Sequence, residues 1–290
     1  MMKDKVPKAK KSTFKFKNLY ETNKVQKHST VVPNPTFHNT RIKYNTLTGV
    51  IGGTGAGKSH WVANFLVASP GTFEHVVVCY RDIDEPLYQT IKDEIGKKGK
   101  VSFFTFDTMP DVHELNKMRE DPKDEYLVIF DDFLADLNPR SLKLMKAYAI
   151  VGRKEHMTMF WLCQSVTDTP MCIRKQLHYL VLLRLSNNRD LDRVLKEYGC
   201  DGLDKRQLRE MHEMATAEPL HALKIETQGT DLNEKYTRNF TDPFYVKRHF
   251  LRNGDVEATV TPGSWYKGVR HFKSDSDSSE ADDDSEDDSS

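Results

Sequence analysis

The chain has 290 residues, 30% charged and 38% apolar, with 43 basic side chains against 43 acidic ones and a formal net charge of zero. That length allows one large domain with a sizeable core plus tails, and no apolar run is long enough to span a bilayer. The four cysteines (Cys79, Cys163, Cys172, Cys200) lack metal-ligand spacing and the lysine-rich start lacks the apolar stretch of a secretory signal, which reads as a reduced, intracellular protein.

The zero net charge hides an asymmetry. Residues 1–27 carry nine lysines against Asp4 and Glu21, a net of +7, and residues 274–290 hold seven Asp and two Glu with no base, a net of −9. The basic arm, taken as 1–40, is expected to be disordered and to touch nucleic acid by neutralising phosphates; Lys8-Ala9-Lys10-Lys11 also reads as a nuclear import signal. Thr46 to Ile51 predicts a short buried strand and Ser59 to Val67 a helix. Between them, Gly52-Gly53-Thr54-Gly55-Ala56-Gly57-Lys58-Ser59 fits G-x-x-x-x-G-K-[ST], the phosphate-binding P-loop. Glycines let backbone N–H groups crowd around phosphate oxygens, and the helix N-terminus adds partial positive charge. Lys58 is expected to reach the β- and γ-phosphates and Ser59 to ligate Mg²⁺.

Beyond the P-loop helix, short apolar runs alternate with amphipathic stretches. Strands are predicted at 75–80, 101–106, 126–130, 157–163, 179–185 and 220–225, and helices at about 84–95, 111–119, 141–151, 171–176, 188–198 and 204–215. The pattern predicts an α/β fold: a mostly parallel central sheet with helices on both faces, flanked by disordered charged tails. The domain is placed at 41–230. Residues 231–273 form a polar, Gly/Pro-punctuated extension with no assignable structure, and 274–290 a disordered acidic tail. In that tail Ser274 and Ser279 each precede an acid by three residues, as acidophilic kinases require.

The chemistry gathers at strand ends. The apolar run Tyr126 to Phe130 leads into Asp131 and Asp132. Asp131 is expected to hold the Mg²⁺ shell, and Asp132 to orient or deprotonate the attacking water. Gln164, at the end of the next strand, is positioned to sense the γ-phosphate or that water. Arg153, between these strands, is a candidate arginine finger acting on a neighbouring subunit's phosphate, with Arg174 as a second candidate.

Gly52 to Ser59, Ile129-Phe130-Asp131-Asp132, Gly152-Arg153, Leu162-Cys163-Gln164-Ser165 and Pro170-Met171-Cys172-Ile173-Arg174 follow one another in an order that resembles the poxvirus-type DNA-packaging ATPases. These belong to the FtsK–HerA superfamily of P-loop motors and occur in large DNA viruses, virophages, Polinton-like elements and related viruses. The resemblance covers about 45–225. It implies a P-loop NTPase fold, ATP and Mg²⁺ as cofactors, and a homo-oligomeric ring that drives double-stranded DNA into a capsid, with a capsid or portal-region protein as partner. It also implies work in the infected cell's cytoplasm or nucleus, or association with the virion. Carried over, Lys58, Asp132, Gln164 and Arg153 are catalytic, and Ser59 and Asp131 hold the metal. Lys154 stands where the family often has His, and Gln176 where it often has Asn. A helicase or DNA pump of the same fold, a small-molecule kinase and a non-catalytic scaffold are the alternatives.

Overall fold

The computed structural model describes residues 31–80, 86–95, 99–131, 139–185, 188–200, 202–229 and 231–266. Residues 1–30, the acidic tail and Asp132 lie outside the described residues, while residues 31–40 of the expected basic arm lie within them and include α1. The elements are α1 (Phe37–Thr40), β1 (Leu47–Ile51), α2 (Lys58–Ala68), β2 (His75–Cys79), α3 (Pro86–Ile95), β3 (Lys100–Phe104), α4 (Val112–Lys117) and β4 (Tyr126–Asp131). They continue with α5 (Pro139–Val151), β5 (Met157–Cys163), α6 (Met171–Arg174), β6 (Tyr179–Leu182), α7 (Asn188–Tyr198) and α8 (Lys205–Ala215). The last are β7 (Leu223–Glu226), α9 (Leu232–Lys235), β8 (Tyr236–Arg238), β9 (Asp242–Phe250) and β10 (Val256–Pro262).

All the strands join one sheet in the order β10-β9-β8-β7-β6-β1-β5-β4-β2-β3. From β3 to β6 neighbours run parallel, and from β6 to β10 they run antiparallel. Every residue of β1, β4, β5 and β6 is buried, as parallel strands covered on both faces must be. Their alternation feeds two apolar cores. Phe130, Trp161 and Leu180 point to one, and Val50, Ile129, Phe160 and Val181 to the other. Each core is roofed by helices: Met145 and Tyr148 of α5 with Leu208 and Met211 of α8 on the first face, and Trp61, Val62 and Phe65 of α2 on the second.

Residues 31–46 already pack on this body. Asn34 Nδ2 donates to Ile42 O at 2.6 Å, and the Thr36 and Thr72 hydroxyls meet at 2.8 Å. Helix starts follow their cap chemistry. Asp111 and Glu114 form a capping box on α4, and Asp204 and Gln207 another on α8.

Residues 231–262, unassigned from sequence, form α9 and three strands that widen the sheet. Phe244, Val246, Ala258 and Val260 extend the first core. The legible signal was Asn253-Gly254 between two alternating runs, a hairpin turn with Gly254 at φ 91°. Near the middle of the outermost strand, Ala258 N–H donates to Gly202 O at 2.9 Å, and Gln207 Nε2 donates to Ala258 O at 2.7 Å.

Candidate active site

The P-loop leaves the carboxyl end of β1, between β5 and β6. Its first turn is locked to both neighbours: Gly52 N–H donates to Cys163 O at 3.1 Å and Gly53 N–H to Arg184 O at 3.4 Å. A Cβ at Gly52 would stand 2.9 Å from Leu183 Cβ, so only glycine lets the loop lie this close to β6. Gly57 is the N-cap of α2 at φ 97°, and no side chain caps the helix. Trp61 N–H makes the bond back to Gly57 O at 2.9 Å, so the amides of Lys58, Ser59 and His60 precede any intrahelical bond and remain for an anion. Lys58 Nζ folds onto the loop, donating to Gly52 O at 3.1 Å and Gly53 O at 3.4 Å.

The loop forms one wall of a cleft of about 370 Å³. Thr54, Gly55, Gly57, Lys58, Ser59 and His60 line it on the loop side, and Asp131, Gln164 and Leu220 from elsewhere. Sheet order explains the convergence. Asp131 ends β4, Gln164 follows β5, and β5 lies between β4 and β1. The acid strand is thus one strand removed from the P-loop strand, with the glutamine in the gap. Asp131 is 8% exposed, and Tyr88 of α3 donates its hydroxyl to Asp131 Oδ2 at 2.5 Å. Sequence reading missed Tyr88, because nothing in a helix marks which tyrosine will reach a strand end.

The segment after Gln164 is clamped by α7. Asp190, 1% exposed, accepts from Ser165 Oγ and from Thr167 N–H, each at 2.9 Å. Arg174, 7% exposed, spends its guanidinium on the same segment. Nε and Nη2 grip Glu197 at 2.9 and 3.0 Å, and Nη1 donates to Thr169 O at 2.5 Å, Val166 O at 3.3 Å and Thr167 O at 3.4 Å. Its second candidacy as a finger therefore gives way to a structural role. Beneath the loop, burial pushes the Cys163 thiol up to about 12, and the side chain meets the Thr169 hydroxyl at 3.1 Å. All four cysteines are free.

Arg153 is not brought to this cleft. It sits in the turn Gly152–Glu155 before β5, whereas Gln164 follows β5. Seven residues at ~3.3 Å each put it roughly 20 Å from its own chain's P-loop. It is exposed and makes no hydrogen bond or ion pair among the described residues. Its charge is felt by His178, whose Nδ1 accepts Leu47 N–H at 3.2 Å. Burial first, and then Arg153, lower the His178 pKa to about 4. Asp132 lies outside the described residues.

Among the described residues no group of three or more His, Cys, Asp or Glu side chains could cage a metal, and no helix is long and apolar enough to cross a membrane. Ser59 and Asp131 on one cleft suit a hard divalent cation that takes its remaining oxygens from phosphate and water.

No curated protein matches the sequence. Among solved structures, the chain is similar to the DNA-packaging ATPase B204 from Sulfolobus turreted icosahedral virus, at 11% identity over 67% of this chain and 97% of that one, with a TM-score of 0.47. The genome packaging NTPase B204 from Sulfolobus turreted icosahedral virus 2, in complex with ATP-gammaS, matches at 13% identity over 67% and 96%, with a TM-score of 0.43. ATPases 2 and 3 of EssC from Geobacillus thermodenitrificans match at 12% identity over 68% of this chain and 39% of that one, with a TM-score of 0.40. The family model of the poxvirus A32 protein matches residues 37–228, the span from α1 through β7, with α9 and β8 to β10 outside the match. On that match the chain belongs to the poxvirus A32 protein family, the poxvirus-type resemblance its motifs carry.

Proposed function

We propose that the protein is an ATP-hydrolysing motor that drives double-stranded DNA into a viral capsid, working as a homo-oligomeric ring. The observation that carries the reading is the meeting of Lys58, Ser59, Asp131 and Gln164 on one cleft above the carboxyl ends of β1, β5 and β4, in a chain of the A32 family.

The loop amides and the uncapped start of α2 receive the phosphates, and Lys58 exchanges its two carbonyl partners for phosphate oxygens. Ser59 and Asp131 hold Mg²⁺, which when bound neutralises charge on the phosphate oxygens. Asp132 takes the proton of the attacking water, and Gln164 positions that water against the γ-phosphate. Tyr88 fixes Asp131 by donating to Oδ2. Arg153, remote from its own chain's cleft, acts on the neighbour's phosphate and stabilises transition-state charge there. The clamp from Asp190 and Arg174 onto residues 165–169 ties the sensor to α7, so a change at Gln164 moves a helix rather than a loose loop. The lysine arm 1–27 adds sequence-independent grip on DNA. A capsid or portal-region protein receives the ring.

The test is phosphate release by the full chain with Mg²⁺-ATP, with and without blunt duplex DNA. Stimulation by duplex together with movement along it, without strand separation, is expected. ADP formation driven by a nucleoside, with a phosphorylated product, would replace the motor by a kinase. Unwinding of forked duplexes would replace it by a helicase.

A further inference from the structure

The turn between α8 and β7 carries Leu220, which none of the roles above uses. From sequence it was the first residue of a strand. The structure starts β7 at Leu223 and puts Leu220 in a tight turn. His221 N–H reaches Glu218 O at 3.4 Å, Pro219 stands second in the turn, and Leu220 stands third at φ 67°. Proline second and a positive φ third are the marks of a type II turn, whose third position favours glycine. A leucine there is strained, and the turn holds it: Arg238 pairs with Glu218 at 3.2 Å and donates to His221 Nδ1.

The strained side chain is not core. Leu220 is 45% exposed, lines the phosphate cleft and packs its Cδ2 onto the space where a Cβ at Gly57 would be. Sheet order gives the cleft two unlike ends. Asp131 and Gln164 arrive from β4 and β5 on one side of the P-loop strand. Leu220 arrives from the other side, across β6, at the head of β7. A triphosphate whose γ end lies toward the acid and the glutamine directs its nucleoside end toward the leucine.

We propose that Leu220 is the apolar platform for the nucleoside of the bound nucleotide, packing against the ribose and the purine face. The proposal rests on the nucleotide reading above and adds to it the group that holds the base. It explains why a half-exposed leucine occupies a glycine position: the turn trades backbone ease for an apolar surface beside the phosphate cradle.

Leu220→Gly removes the platform and relaxes the turn, so it separates binding from folding. The full-length wild type and variant are titrated with ATP and with inorganic tripolyphosphate, each with Mg²⁺, and melted without ligand. The expected result is ATP binding weakened roughly five- to tenfold, the loss for removing a half-buried leucine, with tripolyphosphate unchanged and melting unchanged or higher. Equal loss of ATP and tripolyphosphate overturns the proposal by making Leu220 a support of the phosphate loop. Unchanged ATP binding in the variant overturns it as well. A wild type that binds neither probe overturns the nucleotide reading and this proposal together, whereas one that binds both with no difference between the proteins overturns this proposal alone.

Discussion

Arg153 was the first finger candidate and Arg174 the second, and replacing each by alanine separates them. Arg174 is 7% exposed and commits its guanidinium to the Glu197 carboxylate and three carbonyls. Truncation strands those acceptors, and breaking a buried pair from one side costs about 3–5 kcal/mol. Glu197 keeps Arg193 at 3.4 Å and retains access to water, which places the loss at the lower end, about 3 kcal/mol. For a domain of this size each kcal/mol lowers the melting temperature by ~2–4 °C, so Arg174→Ala should melt roughly 6–12 °C below wild type. Arg153→Ala removes an exposed side chain and should stay within about 0.5 kcal/mol. Calorimetry of the ligand-free proteins reads both. Subunit mixing completes the assay: Arg153→Ala combined with Lys58→Ala should recover partial turnover at shared interfaces, and Arg174→Ala so combined should regain nothing beyond its folded fraction. An Arg174→Ala protein that melts with the wild type yet loses turnover would refute the structural assignment. Absence of rescue at any mixing ratio would remove Arg153 from the trans role.

Three further outcomes follow from the geometry. Tyr88→Phe deletes the hydroxyl that donates to Asp131; a hydrogen bond to a charged group contributes about 1.5–3 kcal/mol, so urea unfolding should show a loss in that range and turnover should need several-fold more Mg²⁺. An unchanged Mg²⁺ requirement would leave Tyr88 a packing residue. Burial depresses the His178 pKa to about 4 against an ordinary 6.5, so the unfolded chain binds the proton first as pH falls, and stability is full above 6.5 and drains between 6.5 and 4. Integrated over that window the loss is at most roughly 3 kcal/mol; His178→Asn, which keeps an acceptor for Leu47 N–H, should flatten the urea midpoint across it, and an unflattened profile assigns the loss to other groups. Lys58→Ala should abolish nucleotide binding or turnover, while Asp132→Asn should bind ATP and hydrolyse it poorly; equal turnover in the lysine variant and wild type would mark the activity as a contaminant's.

The parallel half of the fold was legible because its strands are buried on both faces and therefore apolar without interruption, as Tyr126 to Phe130 and Met157 to Cys163 are. The P-loop was legible because close backbone approach admits few residues at Gly52 and Gly57. Of the antiparallel strands β7 was legible, but β8 to β10 were not, since β9 and β10 show alternation on one face only and carry Lys247, Arg248 and Glu257 among their apolar positions. At the site, the residues proposed to touch phosphate were readable by type and spacing. Residues that hold those residues were not: Tyr88 and Asp190 act through partners 43 and 25 positions away in sequence, a relation only the folded chain creates. Arg174 was readable as a basic residue near the machinery, but its burial, which decides its role, was not.

The outermost strand, finally, bears on how copies of this chain can meet. A ten-stranded sheet that stopped at a bare strand would invite another sheet to continue it, and sheets grown edge to edge become fibres instead of closed assemblies. Here Gly202 and Gln207 occupy the Ala258 backbone from outside, and Pro262 at the strand's end offers no amide to a newcomer. Gln207 does this with the same side chain that caps α8, so the cover is as firm as the helix behind it. With this margin covered at Ala258, a neighbour meeting the β10 side does so through helix and loop faces, a mode of contact that permits closure by rotation, and the sheet does not grow past β10 there.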